Sequence, residues 1–275
     1  MNKTGIQVRN AQGGKYAEEE GLEYSSVQKA IGLLLSFIPN NKPTGNLELS
    51  TSLGMNKSTV SRLARVLTHY GLLQQDEETQ KYELGRTSAQ LGLAVEASQN
   101  ERLAKLGQRY VDHLRDTVKE SVCLETLDAA GYVNVICTAV GPPPLSVTFP
   151  ETVPMHVAAG AKVILAFSDQ DFADSMINGD FTKITENTIT DPIVFRKQLD
   201  EIRLRGIAYD QGEANPHVHT ASVPVFNHLK KPVAALSICV PSTRVESISN
   251  PQSIRLLKKT AMMLAGRLFY DIPRK

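Results

Sequence analysis

The stretch LGMNKSTVSRLARVLTHYGLL at residues 53–73 constrains this chain more than any other. Val60, Leu63, Ala64 and Leu67 recur at i, i+3, i+4 and i+7, the stripe of an amphipathic helix. Ser58, Ser61, Arg62, Arg65 and His69 fall on the opposite side at ~100° per residue. Asn56 is placed to cap the start through its side chain, and Gly71 to stop the end, so the pattern predicts a helix over residues 57–70. Just before it, GNLELSTSLGMN predicts a short helix ending at Gly54 and a tight turn. Two helices joined by such a turn make a helix-turn-helix. Upstream, SSVQKAIGLLLSFI supplies a packing helix with Val27, Ala30, Ile31, Leu34 and Ile38 on one expected stripe. Downstream, LLQQ and KYEL flank the polar DEETQ and predict a β-hairpin, which completes a winged helix-turn-helix.

Charge follows the same segment. Residues 24–75 carry Lys29, Lys42, Lys57, Arg62 and Arg65 against Glu48 alone, a net +4, whereas the whole chain is only +1. A basic module of this kind places its second helix in the major groove of DNA. Lys57, Ser58 and Thr59 open that helix, where free backbone amides favour phosphate, and Ser61 shares its polar face. Arg62 and Arg65 are the candidates for groove contact, either one serving a base edge or a phosphate. The wing turn, Asp76-Glu77-Glu78, is acidic and should stay away from phosphates.

A length of 275 residues predicts two domains. No apolar run approaches the ~20 residues that span a bilayer. The polar start predicts a mobile tail over residues 1–22 and no signal peptide. Cys123, Cys137 and Cys239 are odd in number and unclustered, which suits a reducing cytoplasm and gives no zinc spacing. The expected organisation is a DNA-binding domain over 23–86, a linker helix over 87–100 and a second domain over 101–275. The segment from residue 84 to 121 reads as helix with one interruption, and a boundary near residues 97–101. Beyond it, hairpin, helix and strand patterns alternate and predict an antiparallel α+β sandwich with helices on one face of the sheet.

Five separated segments in this order resemble the IclR family of bacterial transcriptional regulators. They are the helix-turn-helix with its preceding helix, KYELG, PMHVAAGAKVILA, LRGIAYDQGEANPHVHTASVPVFN and PVAALSICVPSTRV. The resemblance implies an N-terminal winged helix-turn-helix and a C-terminal effector-binding domain with a GAF- or profilin-like α+β sheet. It further implies a homodimer or homotetramer that binds a palindromic operator in double-stranded DNA, senses a small organic or aromatic acid, and represses or activates a catabolic operon without a cofactor. Carried over residue by residue, it places Leu145, Ala159, Gly160, Asp210, Thr220, Ser237 and Cys239 at the effector site. Thr220 stands where the family commonly has cysteine, and Ala161 where it usually has glycine before Lys162.

The residues support an anion site independently. The first amides of a helix beginning at Ala159 lack partners and can hold a carboxylate, and Gly160 lets a ligand approach. Ser237 and Cys239 share one strand face. Asp210 beside an acid must be protonated or accept from a hydroxyl, which favours a hydroxy-, oxo- or phenolic acid.

Rival readings fare less well. Asp210, His217, His219 and Cys239 suggest a catalytic set, but no reactive-cysteine signature surrounds Cys239 and an apolar strand disfavours a thiolate. His217 and His219 with Asp210 and Glu213 have a spacing that a metal could use, although a polar strand end is the commoner reason for such a pair. A constitutive architectural DNA-binding protein without effector is the third alternative, and the large, non-basic second domain argues against it.

Overall fold

The protein is described by a computed structural model covering residues 25–38, 41–144, 146–150, 152–177 and 181–270. The expected tail at 1–22 and the candidate Leu145 lie outside the described residues. The chain forms two compact units that divide between Ala97 and Ser98.

In the first unit, helices α1 (Ser26–Leu35), α2 (Asn46–Ser52) and α3 (Lys57–His69) precede a hairpin of β1 (Leu73–Gln75) and β2 (Tyr82–Leu84). Ser25 and Gln28 cap α1 reciprocally, satisfying two backbone donors that the helix cannot. Gly71 takes φ +68° just beyond α3, the left-handed conformation that ends the helix. Val60, Leu63, Ala64 and Leu67 pack with Leu33, Phe37, Leu49 and Leu73 into one core.

Two details differ from the sequence reading. The buried stripe of α1 is Leu33 with Ala30 and Leu34, continued by Phe37 just past its end, while Val27, Ile31 and Ile38 are exposed. This helix is apolar nearly all round, so periodicity alone admits more than one stripe. Asn56 stands at the N-cap of α3 without a side-chain bond; its backbone carbonyl accepts from Val60 N at 3.1 Å.

The long helix α4 (Arg86–Val118) is continuous, against the expected interruption. Residues 97–101 contain neither proline nor glycine, so nothing there breaks the hydrogen-bond ladder. The second unit follows with β3 (Ser121–Leu127), β4 (Tyr132–Ala139), β5 (Thr152–Pro154), α5 (Ala159–Phe167), α6 (Gln170–Ile177), α7 (Pro192–Arg205), β6 (Ala208–Gln211), β7 (Val218–Phe226), β8 (Pro232–Pro241), α8 (Glu246–Ser249) and α9 (Pro251–Tyr270). Its strands form one antiparallel sheet in the order β5-β4-β3-β8-β7-β6.

Helices cover both faces of this sheet, not one. Leu103, Val111 and Leu114 of α4 and Leu257, Ala261 and Leu264 of α9 bury Leu124, Val223 and Leu236. Separately, α5, α6 and α7 pack around Ala208, Ala235 and Val133. A strand buried on both sides carries apolar or small residues at every position, and β8 shows it: eight of its ten residues are buried.

Candidate functional site

In the first unit, Lys57, Ser58, Arg62 and Arg65 are exposed along one side of α3, and Thr59 and Ser61 are half-buried beside them. None of the four exposed residues bonds to another described side chain. Gly54 takes φ +61° in the turn between α2 and α3, which only glycine does without strain. In the wing, Asp76 Oδ1 accepts from the Thr79 amide at 2.7 Å and from its hydroxyl at 2.6 Å. The Thr79 hydroxyl lowers the Asp76 pKa, so the wing tip remains anionic.

In the second unit the register of the sheet assembles a polar face. Cys123 lies opposite Ser237 and Ser222 opposite Ser237; Thr220 lies opposite Cys239 and Asp210 opposite Thr220. Side chains alternate across a strand, so these residues share the face covered by α5. Asp210, Thr220, Ser237 and Cys239 are thereby brought together from separate segments, and all are buried. Ser222, which sequence reading passed over, joins them: its hydroxyl is 2.6 Å from that of Ser237. Thr220 donates to Cys239 Sγ at 3.4 Å.

Glu125 is the largest addition. It follows Ser121 and Cys123 at the strand period of two, so it faces the same way. Its carboxylate accepts from the Ser237 hydroxyl at 2.9 Å and from the Cys123 thiol at 3.1 Å. Burial raises its pKa, against the lowering effect of those two donors. Burial also pushes the Cys123 thiol well above its ordinary range, which leaves it without nucleophilic character. A Cβ on Gly160 would overlap Glu125 Oε2 and stand 2.9 Å from its Cδ. The Glu125 carboxyl thus packs closely against Gly160 in the first turn of α5.

A second polar chain ties α5 to β6. Lys162, fully buried, donates to both oxygens of Glu213 at 2.5 and 2.6 Å. The Glu213 amide donates to Asp210 Oδ1 at 2.6 Å. Thr188 Oγ1 donates to the Glu213 carbonyl at 2.9 Å and holds this loop. Burial drives the Asp210 pKa up to about 7, with the Glu213 carboxylate adding to the rise and the Glu213 amide and Lys162 opposing it.

His219 does not join this face. His219 pairs with Gln211 and Val240, on the side shared with Ala221 and Val223, away from Asp210 and Thr220. Among the described residues no three His, Cys, Asp or Glu side chains converge to hold a metal. A cavity of about 440 Å³ beside α7 and β6 is lined by Gln198, Glu201, Arg205, Tyr209, Gln211 and Glu213 among others. No helix of the described residues is long and apolar enough to cross a membrane.

Comparison with known proteins accounts for both units. Residues 26–77 match the IclR helix-turn-helix domain, and residues 95–265 match the bacterial transcriptional regulator IclR C-terminal domain. The chain is 28% identical to the HTH-type transcriptional regulator KdgR of Escherichia coli (strain K12) over 253 residues, 90% of this chain and 95% of that protein. It is 23% identical to the transcriptional repressor IclR of the same organism, over 81% of this chain and 82% of that protein. Its fold is that of Thermotoga maritima IclR, with a TM-score of 0.57 and 23% identity over 88% of this chain and 98% of the other. An IclR homolog from Microbacterium hydrocarbonoxydans, solved in complex with 4-hydroxybenzoate, shares the fold at a TM-score of 0.55 and 18% identity, over 89% of this chain and 99% of that one. With matched domains over most of its length and relatives that are transcriptional regulators rather than enzymes, the chain belongs to the IclR family of DNA-binding transcriptional regulators.

Proposed function

We propose that this regulator binds a two-fold symmetric operator as a dimer or tetramer through α3, and that a small organic effector on the polar face beneath α5 shifts its DNA affinity. A two-fold assembly imposes two-fold symmetry on its operator. Lys57, Ser58, Thr59 and Ser61 serve phosphates and groove edges at the start of α3, and Arg62 and Arg65 reach into the groove. Residues 23–86 form the DNA-binding domain, 87–100 the linker helix and 101–275 the effector domain. The chain works in the cytoplasm, where the operator is, and governs a catabolic operon; relatives named as glycerol operon regulatory proteins support that last point.

The observation that carries the effector site is the buried cluster of Glu125, Asp210, Thr220, Ser222, Ser237 and Cys239 in a sheet whose other face is apolar. Burying so many polar groups is costly unless they serve recognition or satisfy one another. The Microbacterium relative's complex supports a small organic ligand. The 4-hydroxybenzoate of that complex is a phenolic acid, in keeping with the small organic or aromatic acid expected from the sequence.

The DNA half is tested by substitution. A duplex selected from random sequence with the full chain serves as operator. Arg62→Ala and Arg65→Ala should each weaken its binding while leaving the melting temperature unchanged. If one of them reads a base, discrimination at that position falls by ~1–3 kcal/mol. Wild-type affinity in both variants would remove α3 from the interface.

A further inference from the structure

Strand β6 closes one edge of the sheet, with β7 as its neighbour on the other side. Along an antiparallel strand, successive residues turn their backbone groups to opposite sides. The Ser242 amide, just past β8, donates to the His217 carbonyl at 2.8 Å, so His217 and, by alternation, His219 and Ala221 face β8. Thr220 and Ser222 then face β6 and bond to Asp210 and Ala208, opposite them. Tyr209 and Gln211 are left with their N–H and C=O turned out of the sheet. The Gln211 carbonyl agrees: it accepts from Asn187 Nδ2 at 3.0 Å. Among the described residues none bonds to the Tyr209 N–H, the Tyr209 C=O or the Gln211 N–H on this side.

This edge opens into the cavity of about 440 Å³ between α7 and β6. From α7, Gln198 lines the same cavity, and its Oε1 is buried without a hydrogen-bond partner among the described residues. Buried polar groups are normally paired, and a ligand that supplies the missing partners is favoured by doing so. Ile189, Ile202 and Ile207 give the cavity an apolar side. Its charges are matched within the protein: Arg205 stands 3.5 Å from Glu201, and Lys162 holds Glu213. A neutral occupant therefore fits better than an ion. The open edge is also short. Asn187 occupies the Gln211 carbonyl at one end, and Gly206 ends α7 just before β6 at the other, so one extended residue fits where a whole added strand does not.

We infer that this cavity is a second small-molecule site, for a neutral peptide-like amide. One acylated amino-acid residue pairs its N–H and C=O with the backbone edge at Tyr209, its terminal amide donates to Gln198 Oε1, and its apolar side chain lies on Ile189, Ile202 and Ile207.

The test uses the full chain with labelled isoleucine δ1-methyl groups and N-acetyl-L-leucinamide as probe. The Ile189 and Ile202 methyl signals should shift saturably, with a Kd of ~1–10 mM, as suits about a dozen non-hydrogen atoms. N-acetyl-L-leucine methyl ester, which lacks the terminal donor, should bind at least ~fivefold more weakly, and so should anionic N-acetyl-L-leucine and cationic L-leucinamide. Gln198→Leu should weaken the probe by a similar factor. Ile189→Trp fills the cavity and should abolish binding, read at Ile202, with Ile189→Phe in its place if the melting temperature falls by more than about 5 °C. Ser237→Leu, on the other face of α5, should bind the probe as the wild type does. No saturable shift up to about 20 mM, equal affinity for the ester, wild-type affinity in Gln198→Leu, binding that persists in the filled cavity, or binding lost in Ser237→Leu overturns the inference.

Discussion

Gly160→Ala adds one methyl group at the closest approach in the effector face. In most helices this change stabilises, by up to ~1 kcal/mol, because alanine loses less backbone entropy than glycine. Here the new Cβ would overlap Glu125 Oε2, stand 2.9 Å from Glu125 Cδ and lie 3.4 Å from Ala235 Cβ. Glu125 is the end of a flexible side chain, but it is held by Ser237 and Cys123 and has no solvent to retreat into. Moving it weakens hydrogen bonds to a buried acid, so the expected net cost is ~1–3 kcal/mol, in the range of core overpacking. In a Glu125→Ala background the collision is gone, and the same substitution should be neutral or stabilising by up to ~1 kcal/mol. The coupling between the two sites is then ~2 kcal/mol or more, readable in a double-mutant cycle of urea unfolding curves. Equal effects of Gly160→Ala in both backgrounds would refute the placement of Glu125 over the first turn of α5.

The remaining predictions concern the buried charges. Asp210 has an ordinary pKa of 3.8 and a folded value of about 7, so the native state holds a proton that the unfolded chain releases. Stability from this group is therefore present at about pH 4 and is lost as pH rises through 7, by up to ~4 kcal/mol. Asp210→Asn should flatten that part of the pH profile in thermal unfolding; an unchanged profile would contradict the burial of Asp210. Lys162→Met should cost ~3–5 kcal/mol by leaving Glu213 buried without its cation, and adding Glu213→Gln should recover part of it. A loss below ~1 kcal/mol in chemical unfolding would mean that the pair is solvated.

Much of this arrangement is legible in the chain because local physics fixes it. The stripe of α3 is clean, since Val60, Leu63, Ala64 and Leu67 alternate with charged and hydroxyl residues. The α7 helix announces itself with Asp191 at its cap, Pro192 at its first position and Gly206 at φ +68°. The stripe of α1 is not legible in the same way, because an apolar run offers several faces and only packing against α2 and α3 selects one. Ser237, Cys239 and Asp210 carry local signals, but their juxtaposition depends on the register of β6, β7 and β8, which no single segment specifies. Glu125 shows the limit most clearly. The alternation Ser121, Cys123, Glu125 was available as a polar face on a strand, yet its meaning comes from Gly160, which lies far along the chain and meets it only in the folded sheet. The Lys162–Glu213 pair is hidden for the same reason: lysine within AAGAKVILAF gives no sign that its ammonium is fully buried.

The central claim is that a small molecule on the β3–β8–β7–β6 face alters DNA binding by α3. A ligand shifts an equilibrium only by its differential affinity for two states, and the shift is reciprocal. The direct measurement is a fluorescence-anisotropy titration of the selected operator duplex, with and without a compound that raises the melting temperature of the wild type, on the wild type and on Ser237→Leu. The account predicts a changed DNA Kd for the wild type, no change for Ser237→Leu, and ligand-free Kd values within about twofold of each other. A ligand effect that survives in Ser237→Leu, or a wild-type DNA affinity indifferent to the compound, would contradict it.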